Sequence, residues 1–180
     1  RQRQMCIRDR KQIVLEAISK NQKSLIRDVL QARKDEFVFK AYEHKGSFFK
    51  IDSLEAYYKA NLALLDAKKR DSIFNREAPI YTKVGDNAPV KYGLESNVKN
   101  SLVADGCMIE GTVENCVLFR GVKIGKNAVV RNCVLMQGTE IADGCSIDSI
   151  VADKNVTISE NRVLTGSSEY PLYLGKKAKI

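Results

Sequence analysis

From Val98 onward, within each of a series of repeats, one aliphatic position returns every five to six residues: Val98, Val103 and Ile109, then Val113, Leu118 and Ile124, then Val130, Leu135 and Ile141. This spacing fits neither an amphipathic helix nor one long alternating strand. A second series runs in phase with it, Gly106-x-x-Ile109, Gly121-x-x-Ile124, Gly138-x-x-Ile141 and Asn155-x-x-Ile158, in steps of 15, 17 and 17 residues. Each anchor closes a phrase of one shape: "VKNSLVADG", "VENCVLFRG", "VRNCVLMQG" and a degenerate "IDSIVADKN". Three short strands per coil predict a triangular prism, in which equivalent residues stack about 4.8 Å apart. Gly106, Gly121 and Gly138 are then repeat corners. Asn155 takes the fourth, as expected if the corner needs a positive φ, which asparagine tolerates.

The agreement of period, aliphatic positions and turn glycines resembles the hexapeptide repeats of left-handed parallel β-helices. About four coils are visible, enough for a continuous core. Within them Cys116 and Cys133 stand 17 residues apart, with Ser101 in the same slot one coil earlier. Such residues stack and do not converge on a metal. Five cysteines with no C-x-x-C pair argue against a zinc site, and the odd count argues against a disulfide framework. They read as small buried thiols that pack.

The first half follows another grammar. "KQIVLEAISK" and "KSLIRDVLQARK" place Ile13, Leu15, Ile18, Leu25, Ile26, Val29 and Leu30 at helical spacing. "FVFKAYEHKGSFFKI" predicts two short strands broken at Gly46. "DSLEAYYKANLALLDAKKR" predicts a helix with Asp52 as N-cap, Glu55 completing a capping box, and an apolar side through Leu54, Tyr57, Tyr58, Leu62 and Leu65. The predicted organisation is a non-native leader over 1–10, an α/β segment over 11–75, a linker over 76–97 and the β-helix over 98–180. "EYPLYLGKKAKI" reads as a closing strand whose lysines guard an open edge. Tyr81 and Lys83 in the linker are expected to pack.

Charge changes this picture little. The net +8 includes an excess of +3 from "RQRQMCIRDR", which lacks periodicity and is similar to a translated adapter preceding a truncated gene; the remainder is +5. That suits a phosphate-bearing ligand or an acidic partner face, whereas no tryptophan and scattered lysines speak against nucleic acid. No apolar run is long enough to span a membrane, and no secretory signal stands at the N-terminus, so the expected location is cytoplasmic.

"GSFFKIDSLEAYYKANLALL", then "PIYTKV", then "NSLVADGCMIEGTVENCVLFRGVKIGKNAVV" resembles the C-terminal part of the glucose-1-phosphate adenylyltransferase (ADP-glucose pyrophosphorylase) family. The resemblance covers nearly the whole chain from Lys11. It implies an α+β remnant of a nucleotidyltransferase domain followed by a left-handed parallel β-helix. Catalytic members carry a W-x-D-V-G-T-type phrase before the helix, whose aspartate is implied to hold Mg2+. Aligning Gly46 and the helix puts Lys50 at that metal-aspartate position and Asp52 at the glycine's. An ammonium repels magnesium. The pattern is similar to the family's GlgD-type branch, which implies a regulatory subunit in bacterial glycogen biosynthesis, paired in a hetero-oligomer with a GlgC-type catalytic partner. No catalytic residue, metal or cofactor is then expected in this fragment.

The family further implies a phosphorylated sugar effector, for which Arg120, Lys123, Lys126 and Arg131 are the candidates. A solvated prism corner is the plainer account of the same charges. Two other functions stay open: a fragment of an active transferase making ADP-glucose from ATP and glucose 1-phosphate, and a hexapeptide acyltransferase. The latter needs a histidine base on a coil. The single histidine, His44, lies outside the repeats.

Overall fold

In the computed structural model, the described residues are 2–35, 43, 46–74, 77, 79–81 and 85–180, with backbone only for 2–10 and 25. They form two compact units, 1–45 and 46–180.

In the first unit, helix α1 (Gln2–Ser19) is followed by a π-helical turn, Leu25–Gln31. Ser24 caps the turn by accepting from the Arg27 N–H, and Asp28 accepts from the Lys23 and Ser24 N–H groups. These two bonds hold the Asp28 carboxyl below the usual range. The helix starts nine residues ahead of the patterned stretch, through residues whose sequence shows no periodicity. Arginine, glutamine and methionine are good helix formers, and extending an existing helix is far easier than nucleating one. Val29 is buried, whereas Val14, Leu15, Ile18 and Ile26 are largely exposed, so the amphipathic stripe is only partly covered.

The second unit corrects the expected helix. Ser53, not Asp52, is the N-cap: its hydroxyl accepts from the Ala56 N–H at 3.0 Å, and helix α2 covers Leu54–Ala63. Asp52 instead pairs with Lys50 at 2.7 Å. Glu55 therefore sits at the second helical position, one short of a capping box, and salt-bridges Lys59 one turn on. The apolar stretch also breaks in two. Leu64, Leu65 and Asp66 donate to carbonyls three residues back, and the Asp66 carboxylate then caps α3 (Ala67–Ile73) through the Lys68 and Lys69 N–H groups. Asp66 competes for backbone donors that a continuous helix would use. No strand is found over the described part of the stretch expected to form two: 46–51 is irregular, and Phe48 and Ile51 are exposed. Apart from Glu43, the rest of that stretch, including His44, lies outside the described residues.

Fifteen short strands follow, β1 to β15, from Lys91–Tyr92 to Leu172–Leu174. They form three five-stranded parallel sheets, β1-β4-β7-β10-β13, β2-β5-β8-β11-β14 and β3-β6-β9-β12-β15, called A, B and C. Consecutive strands always belong to different sheets, so the chain winds as a parallel β-solenoid. The predicted stacks are formed. Ile109, Ile124, Ile141 and Ile158 are in register in sheet A, Val113, Val130 and Ile147 in B, and Leu118 and Leu135 in C, all buried. The corners at Gly106, Gly121, Gly138 and Asn155 have φ of 75°, 68°, 69° and 58°. The ladder also reaches earlier than the repeats indicate, because β1 joins sheet A and Val90 packs on the core.

Both irregular steps have a local cause. Two residues, Glu110 and Gly111, join β4 to β5, where four join β7 to β8, and this gives the 15-residue step. In sheet C, Val151 pairs with Tyr173, a step five residues longer than the regular 17. The surplus forms a loop that brings Glu169 to Lys59 of α2 at 3.4 Å. The closing strand is β15, and Lys179 continues onto sheet A by a bridge to Thr157.

Candidate functional site

The repeated phrases "VENCVLFRG" and "VRNCVLMQG" build the corner between sheets B and C. Asn100, Asn115 and Asn132 occupy it with φ of 43°, 53° and 50°, and Ser149 continues it at 55°. The side chains form a ladder. Asn100 Nδ2 donates to Asn115 Oδ1 at 2.7 Å, Asn115 Nδ2 to Asn132 Oδ1 at 3.3 Å, and Asn132 Nδ2 to Asp148 Oδ1 at 3.2 Å. Asparagine is suited twice here, tolerating the left-handed backbone and offering both a donor and an acceptor along the stack.

One residue further, Ser101, Cys116 and Cys133 stack as expected. The Cys116 N–H donates to Ser101 Oγ at 3.1 Å, and the Cys133 N–H to Cys116 Sγ at 3.3 Å. Both thiols are free and fully buried. The Cys133 thiol beside it pulls the Cys116 proton affinity down, while burial pushes Cys133 well up.

Helix α2 lies over this corner and the outer face of sheet C. Tyr58, Val117, Val134 and Val151 form a second buried cluster, flanked by Tyr57, Leu62, Leu65 and Leu102. The Tyr58 hydroxyl donates to the Asn132 carbonyl at 2.6 Å, and burial raises its pKa. A phenol that must be desolvated to pack needs such a partner. The sequence placed Tyr58 on the apolar side of a helix, but not its acceptor 74 residues away.

The four basic candidates do not gather in one patch. Arg120 precedes the Gly121 corner, with its guanidinium against Gly85. Lys123 projects from sheet A and pairs with Glu140 at 2.7 Å, and Arg131, on sheet B, meets Glu114 at 3.5 Å. Lys126 is exposed at the turn between these strands, its backbone N–H bound to Asp143 Oδ1. It borders a depression of 540 Å³ over the first coil, with Lys91, Tyr92, Leu94, Glu95 and Glu110. The sequence reading missed that depression because β1 lacks the repeat phrase. Tyr81 is 91% exposed, so it does not pack the linker as expected; Lys83 lies outside the described residues.

Lys50 and Asp52 form an exposed pair. Lys50 holds an ammonium where the resemblance places a magnesium-binding carboxylate, so these residues do not fit that ion. Among the described residues no three His, Cys, Asp or Glu side chains come together as metal ligands. No described helix is long and apolar enough to cross a membrane.

Comparisons with known proteins agree with this architecture. Residues 88–169 match a family described as "GlmU-like, C-terminal hexapeptide". The chain is 47% identical over 135 residues to a "Glycogen biosynthesis protein GlgD" of Bacillus subtilis, covering 75% of this chain and 39% of that protein. A Geobacillus stearothermophilus protein of the same name is 59% identical over 71 residues, 39% of this chain and 21% of its own. This chain is homologous to the GlgD type of the glucose-1-phosphate adenylyltransferase family. A "Glucose-1-phosphate adenylyltransferase" of Geobacillus stearothermophilus matches at 40% over 109 residues, 60% of this chain and 27% of that enzyme. The GlgD-type homologue thus spans about two-fifths of the length of its Bacillus relative, and its solenoid is the hexapeptide-repeat part.

Proposed function

We propose that this chain belongs to a GlgD-type subunit with a regulatory and assembly role in glycogen biosynthesis, acting beside a GlgC-type catalytic subunit in a hetero-oligomer. The observation that carries the reading is Lys50. Its ammonium pairs with Asp52 at 2.7 Å, at the position to which the family resemblance assigns the metal-binding aspartate of catalytic members. A carboxylate two residues away cannot serve in its place while it neutralises that ammonium. The likeness to proteins named for glycogen biosynthesis, stronger than that to the adenylyltransferases, supports the same reading.

The solenoid supplies a rigid platform with α2 clasped to it, and the candidate effector position is Lys126, beside Lys91 in the depression over the first coil. A phosphorylated sugar would find two ammonium groups there with carboxylates able to accept its hydroxyls.

The test uses the full-length protein containing this chain, purified alone and together with a GlgC-type partner. ADP-glucose synthesis from ATP and glucose 1-phosphate is followed with magnesium present. Little or no turnover by the subunit alone is expected, with a changed rate or effector response when it joins the partner. Magnesium-dependent turnover by the subunit alone would establish the active-transferase reading instead. Identical rates and effector responses with and without the subunit would end the regulatory one.

A further inference from the structure

The stacked cysteines sit differently from the others in the solenoid. Cys107 pairs across coils with Val122, and Cys145 with Ala128, since their neighbours Met108–Lys123 and Ser146–Val129 are in register. Cys116 and Cys133 alone, among the described residues, stack thiol on thiol. Their neighbours Val117 and Val134 are partners in register, and Cys133 N–H reaches Cys116 Sγ at 3.3 Å. The strand spacing brings their Cα atoms about 4.8 Å apart, inside the roughly 4.4–6.8 Å that a disulfide spans. No chain movement across the prism is needed to join them.

Access is the obstacle, because both sulfurs are shut off from solvent. Their side chains belong to the prism's own core cluster, and helix α2 packs on the outward Val117, Val134 and Val151 beside them, so it braces the backbone of that corner. Tyr58 donates to the carbonyl of Asn132, the residue before Cys133, and packs on Val117 and Val134, which follow the two cysteines. The rest of α2 is partly exposed: Tyr57 and Leu62 pack half-buried against the same cluster, and Lys59 adds a surface ion pair with Glu169. A short helix with one fully buried side chain loosens at less cost than the coils themselves, and with it goes the bond that fixes the Asn132 carbonyl.

We propose that Cys116 and Cys133 are an oxidisable thiol pair that closes to an intrachain disulfide between successive coils, with helix α2 as the brace that limits opening of their corner. The co-reactant is a small peroxide. With hydrogen peroxide, the Cys116 sulfur attacks one peroxide oxygen and the O–O bond breaks; the thiol's proton passes to the departing hydroxide, giving a sulfenic acid and water. Cys133 sulfur then attacks the sulfenic sulfur, its proton leaving with the hydroxyl as a second water. Two thiols are oxidised, one peroxide is reduced, and one S–S bond forms. The hydrogen bonds that Cys116 Sγ receives favour it as the first attacker.

The full chain is treated with hydrogen peroxide under native conditions, quenched, denatured and alkylated, then analysed by intact mass and peptide mapping. Loss of two hydrogens and a cross-linked peptide joining Cys116 to Cys133 are expected, and Cys116→Ser or Cys133→Ser should abolish both. Tyr58→Ala should speed the oxidation roughly tenfold by raising the open population. Tyr58→Phe, which keeps the ring, provides the same comparison with a smaller increase if the alanine variant does not fold. The proposal fails if both thiols remain alkylatable after Cys107 or Cys145 has been oxidised, or if the product joins two chains. An unchanged rate in both folded Tyr58 variants would overturn α2 as the brace.

Discussion

Gly111 shows how little freedom a coil corner leaves. A Cβ there would stand 2.4 Å from the Ala128 carbonyl oxygen and 2.7 Å from that of Gly125, both backbone atoms of the next coil. Gly111→Ala should therefore cost about 2–3 kcal/mol, read as a lowered urea midpoint with an unchanged slope. Gly121 presents the opposite case: nothing lies within 4 Å of its absent Cβ, and its demand is the φ of 68°. Gly121→Ala should cost roughly 1–2 kcal/mol, and Gly121→Asn much less, since Asn155 fills the equivalent corner. At the proposed effector position, Lys126→Ala should raise the effector concentration for half-response roughly tenfold in the full-length hetero-oligomer, the loss expected for one charge-assisted contact. An unchanged response would remove Lys126 from consideration.

At the scale of elements, α2 links the two grammars of the chain. Its start rests on Ser53, so Ser53→Ala should lower stability by about 1 kcal/mol, whereas Asp52→Ala, at an exposed ion pair, should change it little. Thermal or urea unfolding of the two variants distinguishes the caps directly. Its seat rests on Tyr58. Removing that hydroxyl leaves the Asn132 carbonyl without this donor, and Tyr58→Phe should cost about 1–2 kcal/mol. The three sheets are less sensitive to single polar changes, because each coil is held by backbone bonds to its neighbours and by an aliphatic stack.

For the whole molecule, the solenoid and α2 share one compact unit that starts at Gly46, and its nineteen-residue buried cluster runs from Cys107 to Leu174. A fragment of residues 46–180 should therefore retain a cooperative thermal transition and β-rich circular dichroism. A disordered fragment would show that the first unit is required for folding. The exposed Val14, Leu15, Ile18 and Ile26 predict that the first unit is the more readily cleaved in limited proteolysis.

The sequence by itself determined the coils. Aliphatic residues at every fifth or sixth position, with Gly or Asn at each corner, can bury their apolar face only by stacking, and the same period fixed Cys116 over Cys133. It also carried the family resemblance and the anomaly at Lys50. Local hydrogen bonding moved what the pattern had placed approximately, as when Ser53 took the cap from Asp52 and Asp66 divided one apolar stretch into two helices. The tertiary structure alone decided which distant groups meet. Tyr58 on Asn132, Glu169 on Lys59, and the separation of Arg120, Lys123, Lys126 and Arg131 around the prism all depend on how far the chain turns between them. A one-dimensional period gives equivalence between residues but not the face on which each one ends.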